Sequence, residues 1–376
     1  MRGKQIRFAP FVIALVCALV FCLRLSFAEE IAVEEPAKEE APLVEMTGVR
    51  QLYLDYYNFK EHDLPTIMAQ FMADHKLNEN NFSVSYELSD GSLRYDFAEN
   101  VFRTAASTYK LPLNMYYYDL ERTGQISPTA TIGGYKLDYI HRQSIVYSNN
   151  AVSEALYMHL GSFKHYRELM AQYYEQEYPA IYYSRNRINS AYMIAVLKRI
   201  YENRDNYTEL IGYMKEGNPG EYFKNDDETV EVAHKYGWYD GAVNDVAIIY
   251  TEKPYYLAAY TQGVANADLV LGRLSALMTE YTNYHIWEQK EAAAQAAKAE
   301  EERLKAEEER RALYAQRVAE HEADMRNVYI RYAICLGIVV LWLVILFVAL
   351  GVHLFKRRDK RNFMKYMKYY SVPMKN

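Results

Sequence analysis

A hydroxyl and an amine three residues apart are the side chains of this chain best placed to do chemistry. On a helix Ser107 and Lys110 share a face, so the amine can reach the hydroxyl. A serine becomes a nucleophile when a base removes its proton, and burial can lower the pKa of a lysine until it acts as that base. The pair therefore predicts a serine that attacks a carbonyl carbon and forms an acyl-enzyme. Because this spacing arises by chance about once in a chain of this length, it needs support from elsewhere.

A second hydroxyl stands at Ser148, two residues before Asn150. In an acyl transfer Ser148 is suited to pass a proton to the leaving nitrogen. The Asn150 side-chain amide is suited to bind the amide of the substrate. The same residues also suit a helix N-cap, where Ser and Asn are favoured, and the sequence leaves both interpretations open.

The third group is Lys235-Tyr236-Gly237-Trp238. On a strand edge the Lys235 amine can bind a substrate carboxylate, and Gly237 lets a substrate backbone approach closely. The backbone N–H groups of Trp238 and Ser107 are then candidates for an oxyanion hole. The alternative is an ordinary turn between strands.

In this order the three groups resemble the S-x-x-K, S-x-N and K-[ST]-G motifs of class A β-lactamase-like serine hydrolases and penicillin-binding proteins. The resemblance covers roughly residues 80–264. It implies an α+β fold, with an antiparallel sheet flanked by helices beside an all-helical subdomain and the site in the cleft between them. It also implies no cofactor, and a D-Ala-D-Ala-type cell-wall peptide or a β-lactam as substrate.

Two departures from the family pattern bear on function. Tyr236 stands where the family has Thr or Ser, and this bulky phenol could point away from the cleft or narrow it. The stretch 178–187 contains no Glu, although family β-lactamases carry there the Glu that activates the deacylating water. Glu154, one turn after Asn150, is the alternative candidate for that role. We therefore expect acylation with slow release.

The elements that must position these groups follow from hydrophobic periodicity. Alternation over 82–88 and 93–97, around the turn 89–92, predicts a hairpin. Helical patterns begin near Val49 and around Ile67, and they continue over 107–122, 148–174 and 190–202. Strands are predicted at 243–250 and 255–261. A helix-rich middle between strands predicts one α+β domain whose sheet is built from distant segments.

Composition excludes several function classes. The net charge is −6, and eight Lys and Arg lie in the tail 356–376, so the main domain lacks the basic face that nucleic acid requires. The three cysteines lie in apolar runs near the two ends, which excludes a disulfide framework or a cysteine metal site between them. The histidines of the middle region show no ligand spacing with acidic or Cys partners, so no metal is expected.

The two ends of the chain predict export and anchoring. Basic residues precede an apolar run over 8–23, and small residues before Glu29 fit cleavage after Ala28, although an uncleaved anchor is the alternative. A second run, Tyr332 to Phe355, has 24 residues without Asp, Glu, Lys or Arg. That is long enough to span a bilayer and to contact its lipid. Lys356-Arg357-Arg358 follows, so by the positive-inside rule the tail is cytoplasmic and the main domain is outside.

A helix rich in Ala, Glu, Lys and Arg connects the main domain to this span. Its pairs Glu301–Lys305 and Glu307–Arg311 favour an exposed helix, and its sparse apolar residues favour a lone stalk over a coiled coil that would join copies of the chain. The predicted division is a signal peptide or anchor at 1–28, an acidic linker at 29–47, the serine hydrolase domain at 48–284, the stalk at 285–328, the membrane helix at 329–355 and the tail at 356–376.

The sequence thus predicts an extracytoplasmic, membrane-anchored serine hydrolase acting through a Ser107 acyl-enzyme. The alternative is a catalytically impaired sensor or scaffold that binds cell-wall material or β-lactams.

Overall fold

The computed structural model of the protein describes residues 50–218, 220–225 and 230–370. The predicted signal segment 1–28, the acidic linker 29–47 and the last six residues of the tail lie outside the described residues.

The centre of the domain is a five-stranded antiparallel sheet with strand order β2-β1-β9-β8-β7. The strands are β1 Phe82–Leu88, β2 Arg94–Phe97, β7 Glu231–Tyr239, β8 Ala242–Tyr250 and β9 Tyr255–Gln262. The predicted hairpin of β1 and β2 is confirmed, with Tyr86 opposite Tyr95. β1 also pairs with β9 along its whole length, so the sheet is built from distant segments, as expected.

Helices surround the sheet and form a layer beside it. They are α1 Gln51–Tyr56, α2 Leu64–Asp74, α3 Lys110–Arg122, α4 Leu137–Ile145, α5 Asn150–His159, α6 Phe163–Met170, α7 Ala180–Ser184, α8 Ser190–Glu202, α9 Thr208–Glu216 and α10 Ala267–Tyr370. Two short antiparallel pairs complete the described chain: β3 Arg103–Thr104 with β6 Arg187–Ile188, and β4 Thr131–Ile132 with β5 Tyr135–Lys136.

Both faces of the sheet are buried. Along β8, Ala247 and Ile249 face the core formed with α2 and α10, whereas Val246 and Ile248 face the core formed with α8 and α9. Side chains that alternate across a strand make this possible, because every second residue points to the same face. A strand apolar on both faces requires helices on both sides.

A third core belongs to the helical layer. Leu113 and Tyr117 of α3, Ile140 of α4 and Leu156 of α5 are all fully buried together. This layer is the expected all-helical subdomain, and the start of α3 is its contact with the sheet. Residues at that boundary are therefore held by two cores.

The last helix, α10, has two contrasting parts. Its first turns pack on the sheet, and Leu271, Leu274 and Leu277 are buried there. Beyond Trp287 the helix is exposed, with the predicted ion pairs present as Glu301–Lys305 at 2.8 Å and Glu307–Arg311 at 2.6 Å. Within the described residues α10 is the helix long and apolar enough to be a candidate membrane span.

Candidate active site

The predicted nucleophile lies in a tight turn rather than in the α-helix that the sequence pattern predicted. Residues Ala106–Tyr109 form a 3-10 turn, and α3 begins at Lys110. Ala106 adopts a left-handed backbone conformation, with φ of 49°, which is costly for a residue with a side chain. The turn leaves Ser107 half-buried at the surface and carries Lys110 into the interior.

The Lys110 amine is the centre of the site. Its Nζ lies 3.1 Å from Ser107 Oγ, 3.2 Å from Ser148 Oγ and 2.7 Å from Asn150 Oδ1, and it also donates to the Ser148 carbonyl. No carboxylate is among these partners. Burial lowers the pKa of Lys110 to about 8, because desolvation disfavours the charged amine. Near neutral pH a useful fraction of Lys110 is therefore a base within reach of Ser107.

The segment around Ser148 caps a helix, and the capping residue is Asn149 rather than Ser148 or Asn150. Asn149 is the N-cap of α5, with its side chain accepting from Ala151 N at 3.0 Å and from Val152 N at 3.4 Å. The cap leaves Ser148 and Asn150 free to face Lys110. Ser148 itself is left-handed, with φ of 55°, so the backbone is bent to bring this hydroxyl inward.

Buried hydrogen bonds behind Lys110 and Ser148 connect α3 to the Ser148 segment. Asn114 on α3 donates to the Lys110 carbonyl at 2.7 Å and to Ser144 Oγ at 2.8 Å. Ser144 in turn lies 2.9 Å from Ser153 Oγ, which donates to Asn149 O. The chain of contacts links the nucleophile helix to the Ser148 segment through side chains that water does not reach.

Strand β7 closes the site from the sheet side, and it comes closest to the turn at Ser107 through Gly237. A Cβ atom on Gly237 would lie 2.5 Å from Ser107 N and 3.0 Å from Thr108 N, which no side chain tolerates. β7 is an edge strand, so part of its backbone polar groups face the cleft rather than a neighbouring strand. The N–H groups of Ser107 and Trp238 therefore remain the candidates for the oxyanion hole.

A buried ion pair fixes β7 at this position. His234 Nδ1 lies 2.7 Å from Asp245 Oδ2 on β8, and His234 Nε2 lies 2.9 Å from the Gly217 carbonyl. Both ring nitrogens thus contact oxygen atoms, and the imidazole bridges β8 and the residue that follows α9. The sequence showed only that His234 lacks metal-ligand spacing. Its position just before Lys235 did not predict the contact with Asp245.

Lys235 is fully buried beside the site, and its Nζ donates to the Tyr236 carbonyl at 2.9 Å. Its pKa lies well below the ordinary range because of burial and of the nearby Lys110 amine. The Tyr236 ring stacks on Tyr222 at 4.8 Å and packs against the sheet core. The Tyr236 ring lies 4.0 Å from Lys235 Nζ, and its phenol neighbours Ser148, so Tyr236 lies beside the site without lining the open cleft.

The open part of the site is a cleft of about 430 Å³. It is lined by Thr104, Ala106, Ser107, Tyr109, Asn150, Arg185, Asn186, Arg187, Trp238 and Tyr239. The side chains of Trp238 and Tyr239 are exposed, at 70% and 66%. The sequence motif indicated only the backbone N–H of Trp238. It did not predict that the Trp238 and Tyr239 rings or Arg185 and Arg187 line the cleft, because a motif does not show the direction of side chains.

None of these lining residues carries a carboxylate. Within the segment 178–187, Tyr182 is fully buried with its hydroxyl on the Arg167 carbonyl at 3.1 Å. Asn186 Nδ2 donates to the Ala106 carbonyl at 2.8 Å and thereby ties the segment to the nucleophile turn. Glu154 is exposed on α5 and does not line the cleft. Across residues 50–218, 220–225 and 230–370, no cluster of His, Cys, Asp and Glu is suited to a metal ion.

Comparisons with known proteins agree with this architecture. The sequence profile of the beta-lactamase enzyme family matches residues 66–282. No curated protein matches the chain in sequence.

Several solved structures share the fold. A variant of the last common ancestor of Gram-negative class A beta-lactamases is similar with a TM-score of 0.51, 16% identity, and coverage of 58% of this chain and 98% of that one. A variant of the TLA-1 extended spectrum beta-lactamase has a TM-score of 0.51 and 16% identity, with coverage of 57% of this chain and 96% of that one. A mutant of PBP-A, solved as an acyl-enzyme with penicillin G, has a TM-score of 0.51 and 13% identity, with coverage of 60% of this chain and 98% of that one. At these identities the likeness shows the fold alone.

Proposed function

The chain belongs to the beta-lactamase enzyme family, and on that premise we propose that it is a serine hydrolase whose Ser107 is acylated by β-lactams or D-Ala-D-Ala-type cell-wall peptides. One observation carries the proposal: the Lys110 amine lies within hydrogen-bond reach of both the Ser107 and Ser148 hydroxyls. A nucleophile, a base and a proton carrier are the parts that opening an amide requires.

In the proposed acylation, neutral Lys110 takes the Ser107 proton as Oγ attacks the carbonyl carbon. The negative charge that develops on the carbonyl oxygen is stabilised by the N–H groups of Ser107 and Trp238. Lys110 then returns the proton through Ser148 to the leaving nitrogen, and the C–N bond breaks. Lys235 holds the strand beside the site through its hydrogen bond to the Tyr236 carbonyl, and Asn150 and Gly237 orient the substrate.

The second half of the reaction lacks an evident base. Hydrolysis of the ester on Ser107 needs an activated water, and no residue lining the cleft is a carboxylate. We therefore expect the acyl-enzyme to persist. A cleft without that base is also what a catalytically impaired sensor or scaffold would have, and this observation keeps the sensor or scaffold as the second candidate function.

The proposed location is the cell membrane. The apolar part of α10 would span the bilayer once, with the tail from Lys356 in the cytoplasm and the catalytic domain outside. The stalk of about 45 residues between Trp287 and Tyr332 would extend roughly 65 Å as a helix, which would hold the cleft away from the lipid.

A penicillin-labelling time course on the full chain in detergent tests the proposal. Benzylpenicillin should add its full mass to the wild type once, on the peptide containing Ser107, and should leave Ser107→Ala unlabelled. Ser127→Ala, which removes an exposed hydroxyl far from the motifs, is the matched control and should label normally. Absence of label on the wild type would contradict the proposed serine hydrolase activity.

The two candidate functions separate in cells. If hydrolysis matters, Ser107→Ala should have the phenotype of a deletion. If the protein is a scaffold or sensor that acts without acylation, Ser107→Ala should behave as wild type while removal of residues 356–376 abolishes function.

A further inference from the structure

One wall of the cleft carries positive charge that the proposed acylation does not use. Arg185 and Arg187 line the cleft together with Ser107, at the junction of α7 and β6. Arg185 is exposed and Arg187 is half-buried. Since both follow a helix of only five residues, their position depends on tertiary contacts rather than on local structure.

These charges are not neutralised within the part of the chain that the structure describes. No Asp or Glu there forms an ion pair with Arg185 or Arg187, and the polar contact of the Arg187 side chain is the Phe102 carbonyl at 3.3 Å. Behind them, Arg167 donates to the Tyr182 carbonyl at 3.0 Å and to the Arg187 carbonyl. Arg103 likewise finds backbone carbonyls and Ser83 Oγ. Cations paired only with neutral groups leave a positive potential in the cleft.

The geometry fixes which part of a substrate meets this wall. Ser148, the proposed proton donor to the leaving nitrogen, does not line the open cleft, whereas Arg185 and Arg187 do. In the proposed acylation the leaving nitrogen faces Ser148, so the acyl substituent would extend into the open cleft, which the arginines line. Trp238 and Tyr239 cover the other side of that path with exposed aromatic rings.

We propose that this wall selects acyl donors that carry a carboxylate on the acyl side of the bond they break, with Arg185 and Arg187 as the binding residues. The natural substrate would then be an acidic peptide whose acyl portion bears a free carboxylate close to the scissile amide. This inference rests on the proposed Ser107 acylation and adds its substrate class.

The test compares two penicillins that differ on the acyl side alone. Carbenicillin has a carboxylate on the acyl side chain where benzylpenicillin has none, and both share the same leaving half. Second-order acylation constants are measured on the full chain in detergent. We expect the wild type to favour carbenicillin by about tenfold, the size of one charge-assisted hydrogen bond.

In the double variant Arg185→Gln/Arg187→Gln the ratio of the carbenicillin constant to the benzylpenicillin constant should fall from about ten to about one. Arg273→Gln, on the exposed face of α10, is the matched control and should keep the preference. The single variant Arg185→Gln changes an exposed side chain and keeps the test valid should the double variant fold poorly. Salt should slow carbenicillin more than benzylpenicillin in the wild type.

The outcomes distinguish the two proposals. Equal rates for the two penicillins in the wild type, or a preference that survives in both arginine variants, overturn the selection by carboxylate and leave Ser107 acylation intact. Absence of adducts with both penicillins removes the acylation itself, and the inference falls with it.

Discussion

The two walls of the cleft are built in opposite ways. The helical wall holds Ser107, Lys110, Ser148 and Asn150 in one hydrogen-bonded group, supported from behind by the buried Asn114 side chain. The loop wall, over 178–187, presents Arg185 and Arg187 to the cleft and buries Tyr182.

This difference separates the two half-reactions. The helical wall holds the proposed base, Lys110, 3.1 Å from Ser107 Oγ and the proposed proton carrier, Ser148, 3.2 Å from that base, distances at which proton transfer is effective. The loop wall presents arginines and an asparagine to the cleft, which bind but do not take a proton from water. On the proposed mechanism, the cleft thus provides more completely for forming an acyl-enzyme than for releasing it.

The largest expected effect is loss of the base. Lys110→Met should slow acylation by benzylpenicillin about a thousandfold, the usual worth of a positioned general base. In the wild type the acylation rate should rise with pH and reach half its maximum near pH 8, because the neutral amine takes the proton and the Lys110 pKa is about 8. Labelling rates measured from about pH 6 to about pH 10 check both points.

Lys164→Met, which removes an exposed amine on α6, is the matched control and should acylate at the wild-type rate with the same profile. A Lys110→Met protein that keeps both rate and profile would show that another group deprotonates Ser107.

The next largest expected effect is the difference between the rates of acylation and deacylation in the wild type. A chromogenic cephalosporin mixed with the wild type should give a burst of one equivalent, followed by a steady state at least about a hundredfold slower. The physical reason is the absence of a carboxylate on the cleft lining. Stopped-flow absorbance measures both phases, and linear turnover without a burst would contradict the contrast between the walls.

A smaller loss is expected where β7 meets the nucleophile turn. Gly237→Ala would place a Cβ 2.5 Å from Ser107 N, so the strand and the turn must separate. Acylation should fall by a few tens of fold, below the roughly hundredfold cost of a 1 Å misplacement. Gly212→Ala on α9, with open space around its Cβ, is the control and should leave the acylation rate unchanged.

The smallest effect on acylation is expected from the anchor of the loop wall. Arg167 is fully buried, with its guanidinium 3.7 Å from the Tyr182 ring. Arg167→Met should lower the free energy of unfolding by about 2–4 kcal/mol, since charged hydrogen bonds are lost, and should change benzylpenicillin acylation less than about threefold. Chemical denaturation and labelling rates measure the two effects, and a large loss of acylation would mean that the two walls are not independent.

Much of the secondary structure could be predicted because local patterns are strong here. The β1–β2 hairpin is marked by alternation around a Gly-containing turn, and α8 has the bounds its periodicity predicted. Ser107 was expected in the first turn of an α-helix and lies in a 3-10 turn before it, because the close approach of β7 shapes that backbone. The short pair β3–β6 was not predicted, since two-residue strands carry no periodicity.

The sequence by itself determined the order of the reactive residues, the spacing that joins Ser107 to Lys110, and the apolar run near the C-terminus. These are properties of neighbours along the chain. The tertiary structure decided the lowered pKa of Lys110, the side to which the Tyr236 ring turns, and the arginines that line the cleft. Each of these depends on burial or on contacts between segments tens of residues apart, and no local pattern encodes them.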